Sequence, residues 1–357
     1  MTAQLRELLR LDLDAVDLHK GLTGLLSILA FGVFVAIFGD IGMVAALAVL
    51  FVIMADQPGP LRARGMGVLT MTVAGSVIAL FGVWAGPEHL IAASILTFVV
   101  VALATLAAGL GAAYAVRGML LAVWAVVAIS LAGETETAVQ LAVAFAGGGL
   151  IAAGIIWLRT RAQPAPSVEA EAQASERDLA AIARSPLGWF ALLRAAAAGI
   201  AMWLGASFFP EHAIWAALTV ILVMKPRAGE TMASGLLRTI GTLLGVIAAE
   251  ALIALSGGEA VIVLMGFLLA AFAMAALQKV NYAVFVACLT ALLVLADQLA
   301  SGTGEATATD RLLATLLGAA IAFLAIGIGR VLLGRPVASA EPDPRGEAVP
   351  GDDPTPG

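Results

Sequence analysis

The sequence predicts an all-α integral membrane protein of about twelve transmembrane helices, in two parallel six-helix repeats with both termini cytoplasmic. Three observations predict it. Of the 357 residues, 61% are hydrophobic and only 12% charged, with mean hydropathy +1.02, where soluble domains carry about 25% charged residues. The basic residues fall almost entirely on one side of the predicted spans. The two halves repeat at a common offset of 170 residues.

A bilayer-crossing helix needs roughly 20 mostly apolar residues. Apolar runs of that kind place spans at approximately 21–38, 41–55, 66–86, 90–108, 114–131 and 138–158, then 188–208, 213–224, 234–255, 260–277, 281–300 and 311–333. The second and eighth are short and must be tilted or borrow from their loops. Residues 1–19 precede them. Leu5, Leu8, Leu9, Leu13 and Val16 recur there at helical spacing among acidic and basic residues, which fits an interfacial amphipathic helix or a helical lead-in to the first span. The stretch is too polar for a cleavable signal peptide.

The first repeat occupies 20–158 and the second 187–333. Between them, 159–186 is a polar, proline-containing linker whose later residues favour helix. The tail, 334–357, is rich in Pro, Gly, Asp and Glu and reads as disordered. With the N-terminus cytoplasmic, 18 of the 19 basic residues fall on the cytoplasmic side, and only Arg311 on the other. Lys and Arg bias of this kind sets orientation.

At the 170-residue offset, Met54, Gly59, Gly65, Thr72, Gly75 and Gly148 land on Met224, Gly229, Gly235, Thr242, Gly245 and Gly318. Tyr114-Ala115-Val116 lands on Tyr282-Ala283-Val284 at 168. An even number of spans per unit makes the repeats parallel, related by a pseudo-twofold along the membrane normal. Trp215, Lys225, Arg227 and Arg238 face Ala45, Ala55, Gln57 and Val68 at that offset, so the second half is expected to hold the fuller site.

The candidate residues cluster in Pro210–Gly245, an apolar helix, a charged loop and a second helix. On that second helix Thr231, Gly235, Arg238, Gly241, Thr242, Gly245 and Ala249 share one face at about 100° per residue. Small residues such as Gly235, Gly241 and Gly245 let helices approach closely in lipid. An arginine on that face points at protein or a cavity, where Arg238 can meet an anion in a pathway; otherwise it snorkels to the cytoplasmic surface. Trp215 and Thr219 stand one turn apart on the preceding helix. Trp215 also suits an interface belt, and Thr219 can bond its own backbone. Lys225 and Arg227 form a cytoplasmic mouth or simply set topology. Thr242, Tyr282 and Thr290 complete the substrate and pathway candidates. Glu250, about 18 Å beyond Arg238 along the helix, and Asp297 are candidates for proton coupling; each also suits a solvated helix end.

Other chemistry is not indicated. Cys288 is a single cysteine, His19, His89 and His212 are dispersed, and there is no GxxxxGK[ST] loop. Gly147-Gly148-Gly149 lies within a span and signals packing. No catalytic constellation, metal site, cofactor motif or nucleic-acid-binding face is present in the sequence.

The run W215xxxT219, K225-P-R-x-G229 and G235xxR238xxG241TxxG245 resembles the signature of the fusaric acid resistance or aromatic acid exporter (FUSC) family. A related pattern occurs in plant aluminium-activated malate transporters. Asn281-Tyr282 with Thr290, and Asp310-Arg311 with Thr315 and Gly318, echo it more weakly. The resemblance implies a multi-pass transporter in the cell's inner or plasma membrane. It would export small organic, typically aromatic, acid anions on the proton gradient. A passive organic-anion channel and a non-transporting scaffold are the alternatives. Larger relatives carry a sizeable cytoplasmic domain, which this chain replaces with a short linker. The expected partners are the lipid bilayer and the anion, with a homo-oligomer left open.

Overall fold

A computed structural model describes residues 11–57, 59–86, 89–131, 135–161, 179–302 and 304–333. The expected amphipathic segment lies mostly outside them, as do most of the linker and the whole tail. Among the described residues there is no strand. The helices are α1 (Leu18–Ala55), α2 (Leu61–Ala85), α3 (Leu90–Ala107), α4 (Ala112–Ser130), α5 (Thr135–Arg161) and a short α6 (Leu179–Arg184). They continue as α7 (Pro186–Phe208), α8 (Ile214–Val223), α9 (Ala228–Ser256), α10 (Ala260–Ala276), α11 (Tyr282–Ser301) and α12 (Gly304–Leu333).

Local chemistry sets several boundaries. Asp17 accepts the Lys20 amide at 3.0 Å and caps α1. Ser185 accepts from Leu187 ahead of Pro186 at the start of α7, and Asn281 accepts from Ala283 at the start of α11. Each satisfies one of the amides a helix leaves open at its N-terminus. Gly39 (φ 56°, ψ −140°) breaks α1, a left-handed conformation that glycine adopts without a Cβ penalty. α1 is therefore two segments, Leu18–Gly39 and Ile41–Ala55.

Nine segments among the described residues are long and apolar enough to cross a membrane, and Ile41–Ala55, Ile214–Val223 and Ala260–Ala276 are shorter apolar helices. The chain is an all-α, multi-pass membrane protein. Its surface agrees with that solvent: Leu22, Leu26, Leu29, Val33 and Ile37 lie exposed along the first segment of α1. In lipid such side chains lose nothing by being outside, and packing depends instead on close fit.

In the first half α2 packs on α4 and α5, and α3 on α4; in the second half α9 packs on α11 and α12, and α10 on α11. Across the halves α3 lies along α7, and α10 along α1. On the first of these seams Arg194 of α7 donates to Thr105 Oγ1 of α3 at 3.2 Å. On the second, Gly24 of α1 closes on Ala275 of α10. Residues 24 and 105 are each 170 positions before 194 and 275.

The twelfth helix begins earlier than the hydropathy indicates. Gly304–Asp310 is polar but helical, so the end of the apolar run is not the end of the helix. Arg311, expected at the far membrane boundary, instead lies two turns inside α12 and is 2% exposed. This corrects the one far-side position in the charge reading.

Candidate anion site

The site is built on the α8–α9 hairpin. At the loop Thr231 reaches back from the first turn of α9: its hydroxyl donates to the Lys225 carbonyl at 3.0 Å and accepts the Lys225 amide at 2.9 Å. That amide is thus diverted from the Ile221 carbonyl, which accepts instead from the Arg194 guanidinium of α7. Burial pushes the Lys225 ammonium below the usual lysine range, and the Arg194 charge adds to this while Glu230 opposes it. Arg227 is exposed and pairs with Glu230 at 3.0 Å.

Deeper in the bundle two arginines converge. Arg238 of α9 is 4% exposed, and its Nε donates to Thr219 Oγ1 of α8 at 3.2 Å. Arg311 of α12 donates from Nε to Thr290 Oγ1 of α11 at 3.4 Å. Its Cζ stands 3.9 Å above the centre of the Trp215 ring, a cation–π contact. Its Nη1 is buried without a hydrogen-bond partner. Arg311 lies within electrostatic reach of both Arg238 and Asp297. Thr242 and Thr315 are buried on the same helices.

The threonine hydroxyls have limited roles. Thr219 donates its proton to the Trp215 carbonyl at 2.8 Å, so only its lone pairs remain for Arg238. The backbone-bonding reading of Thr219 and its meeting with Arg238 therefore hold together. The donors able to meet an incoming anion are guanidinium N–H groups.

Close helix approach makes room for this. A Cβ on Gly245 would collide with the Ala287 carbonyl and lie 2.7 Å from Thr290 Cβ. Gly241 likewise faces Ala283 and Val286 of α11, whereas Gly235 faces the Phe323 ring of α12. The small-residue face of α9 is thus divided between two neighbours.

Of the predicted residues, Arg238, Trp215, Thr219, Thr242 and Thr290 come together, and Asp297 acts on the site electrostatically. Tyr282 begins α11, stacks against Phe285 at 6.5 Å, and lies about 12 Å along the helix from Thr290. Glu250 is carried about 18 Å along α9 from Arg238. Lys225 and Arg227 stay at the loop. Arg311 and Arg194 were not among the predicted site residues. The Asp310-Arg311-x₃-Thr315-x₂-Gly318 run was the available signal for Arg311, since Gly318 packs against Thr219.

Residues 196–325 match the family model described as fusaric acid resistance protein-like. The matched span contains both arginines, Trp215 and all the buried threonines around them. Over these residues the chain belongs to the fusaric acid resistance protein-like family. No curated protein and no solved structure matches the chain. The FUSC match and the apolar helices together make this a multi-pass membrane protein of a transporter family.

Proposed function

We propose that the protein moves small organic anions, aromatic acids among them, across the inner or plasma membrane on the proton gradient, and that the anion sits between Arg238 and Arg311. The observation that carries this is the buried arginine pair. Each arginine costs roughly 2.5–3.5 kcal/mol on membrane-insertion scales. Together they present unpartnered guanidinium N–H where Asp297 is the acidic group acting on Arg311. A carboxylate fits such donors in fork geometry. Arg311 already covers one face of Trp215, so recognition rests on charge, and an aromatic ring on the substrate is tolerated rather than required.

The same reading takes twelve spans as two parallel repeats with both termini cytoplasmic. The matched helix pairings, α3 with α7 and α10 with α1, support it, as does the agreement of Gly24–Ala275 and Arg194–Thr105 at one offset. Lys225 and Arg227 then form a cytoplasmic mouth that concentrates anions.

The test is uptake of benzoate-type acids into inverted vesicles, cytoplasmic face outward, with and without a pH gradient. Uptake is expected to depend on the gradient and to be lost in Arg238→Ala at normal insertion levels. Unchanged uptake in that variant would sink the site assignment. Currents that persist without a gradient would make the same site a passive channel.

A further inference from the structure

The α8–α12 seam carries a second polar contact beyond the arginines, at the end away from Lys225. His212 closes the 3₁₀ turn Pro210–His212 that leads into α8. Its Nδ1 lies 3.0 Å from Oδ2 of Asp310 on α12, with the two side chains 16% and 34% exposed. Along the same two helices, Trp215 then meets Arg311, and Thr219 meets Gly318. His212 and Trp215 are one turn apart, and Asp310 immediately precedes Arg311. The outermost contact is therefore coupled mechanically to the cation–π contact in the anion site.

The turn packs on α7 and α12. The one charged residue of α7, Arg194, is about 21 Å along the helix from Phe208. α12 contributes Glu305, Asp310 and Arg311 at this end, and Arg311 is turned to Trp215. Glu211 is the ionisable residue on the turn itself.

We propose that His212 and Asp310 form the proton-binding pair of the transporter, a latch on the non-cytoplasmic end of the anion path; this rests on the transport reading of the arginine site. The Nδ1–H tautomer, assigned from the contact, donates to Asp310. One proton from the adjoining aqueous phase adds to Nε2, and no bond breaks. The neutral hydrogen bond becomes an imidazolium–carboxylate pair, which is stronger. It holds the turn to α12 and keeps Trp215 against Arg311. Loss of the proton frees the end of α8 and opens the arginine pair to that side. Imidazoles ordinarily change charge between about pH 5 and 8, so the latch is tight at the acid end of that range and loosens as pH rises.

Backbone hydrogen exchange of 209–216 in the full chain in lipid nanodiscs tests the latch without reference to transport. After correction for intrinsic rates, protection is expected to fall several-fold between about pH 5.5 and about pH 8. His212→Gln, which keeps a donor but cannot charge, should remove that dependence, as should Asp310→Asn. Equal protection at both pH values in the unmodified protein overturns the proposal. In vesicles, His212→Gln should bind and move anion but lose the pH profile; an unaltered profile overturns the coupling role. If Arg238→Ala leaves uptake unchanged, the anion reading falls, while the exchange result still decides the latch.

Discussion

The equivalent interiors of the two halves are filled by opposite chemistry. In the first, Trp124, Phe145 and Phe51 form a buried aromatic cluster, with Trp124 and Phe145 centroids 4.8 Å apart. Trp124 Nε1 donates to the Gly75 carbonyl at 2.8 Å. In the second, the space beside Gly245 is taken by Thr290 and the arginine pair. Positions 170 residues before Arg238, Arg311, Thr219 and Thr315 hold Val68, Leu141, Val49 and Phe145, all within one apolar cluster. One helix arrangement thus serves as a packed support in one half and as a charged site in the other. A scaffold of packed helices holds a site more exactly than loops can.

The comparison can be broken at several points. The largest effect is expected from Trp124→Ala, which empties the aromatic cluster and should cost about 3–5 kcal/mol in reversible unfolding. Anion affinity should stay within about twofold if the halves are energetically separate. Next is the conversion of the second half to the chemistry of the first, Arg238→Val with Arg311→Leu. Replacing buried charges by apolar groups should stabilise the fold by about 1–4 kcal/mol, while anion binding measured by calorimetry disappears. A loss of stability would show that the arginines hold the bundle together rather than wait for a ligand.

Gly245→Ala should cost about 1–3 kcal/mol, because the new Cβ meets backbone of α11. It should also weaken anion binding by moving Thr290. Thr219→Val leaves Arg238 Nε without its acceptor, so roughly 1–2 kcal/mol of stability should be lost, with a several-fold change in affinity. The smallest effect is expected for Arg227→Ala. Its exposed pair with Glu230 contributes at most about 0.5 kcal/mol, and the change in uptake at low ionic strength should vanish at high salt.

Much of this was legible in the chain. The apolar runs marked the helices, the break near Gly39 fell between two predicted spans, and the face of α9 carrying Arg238 among glycines is buried as its periodicity indicates. The family resemblance rested on Trp215, Thr219, Arg238 and their glycines, and the matched region covers them. Arg311 was misplaced because hydropathy measures where apolar residues begin, and α12 extends two polar turns beyond that. His212 looked isolated because its partner, Asp310, is 98 positions away.

The sequence by itself determined the solvent, the helical segments and which residues each helix turns to one side. These follow from composition and a 3.6-residue period, both local properties. Only the tertiary structure decided that Arg238 and Arg311, 73 residues apart, share a site. It also decided that Trp215 is covered by a guanidinium and that Thr219 has spent its proton. The physical reason is that the partner of a helix face depends on how closely and at what rotation two helices pack. That is settled by small residues such as Gly245 and Gly318 meeting particular neighbours, and no periodicity within one helix encodes it.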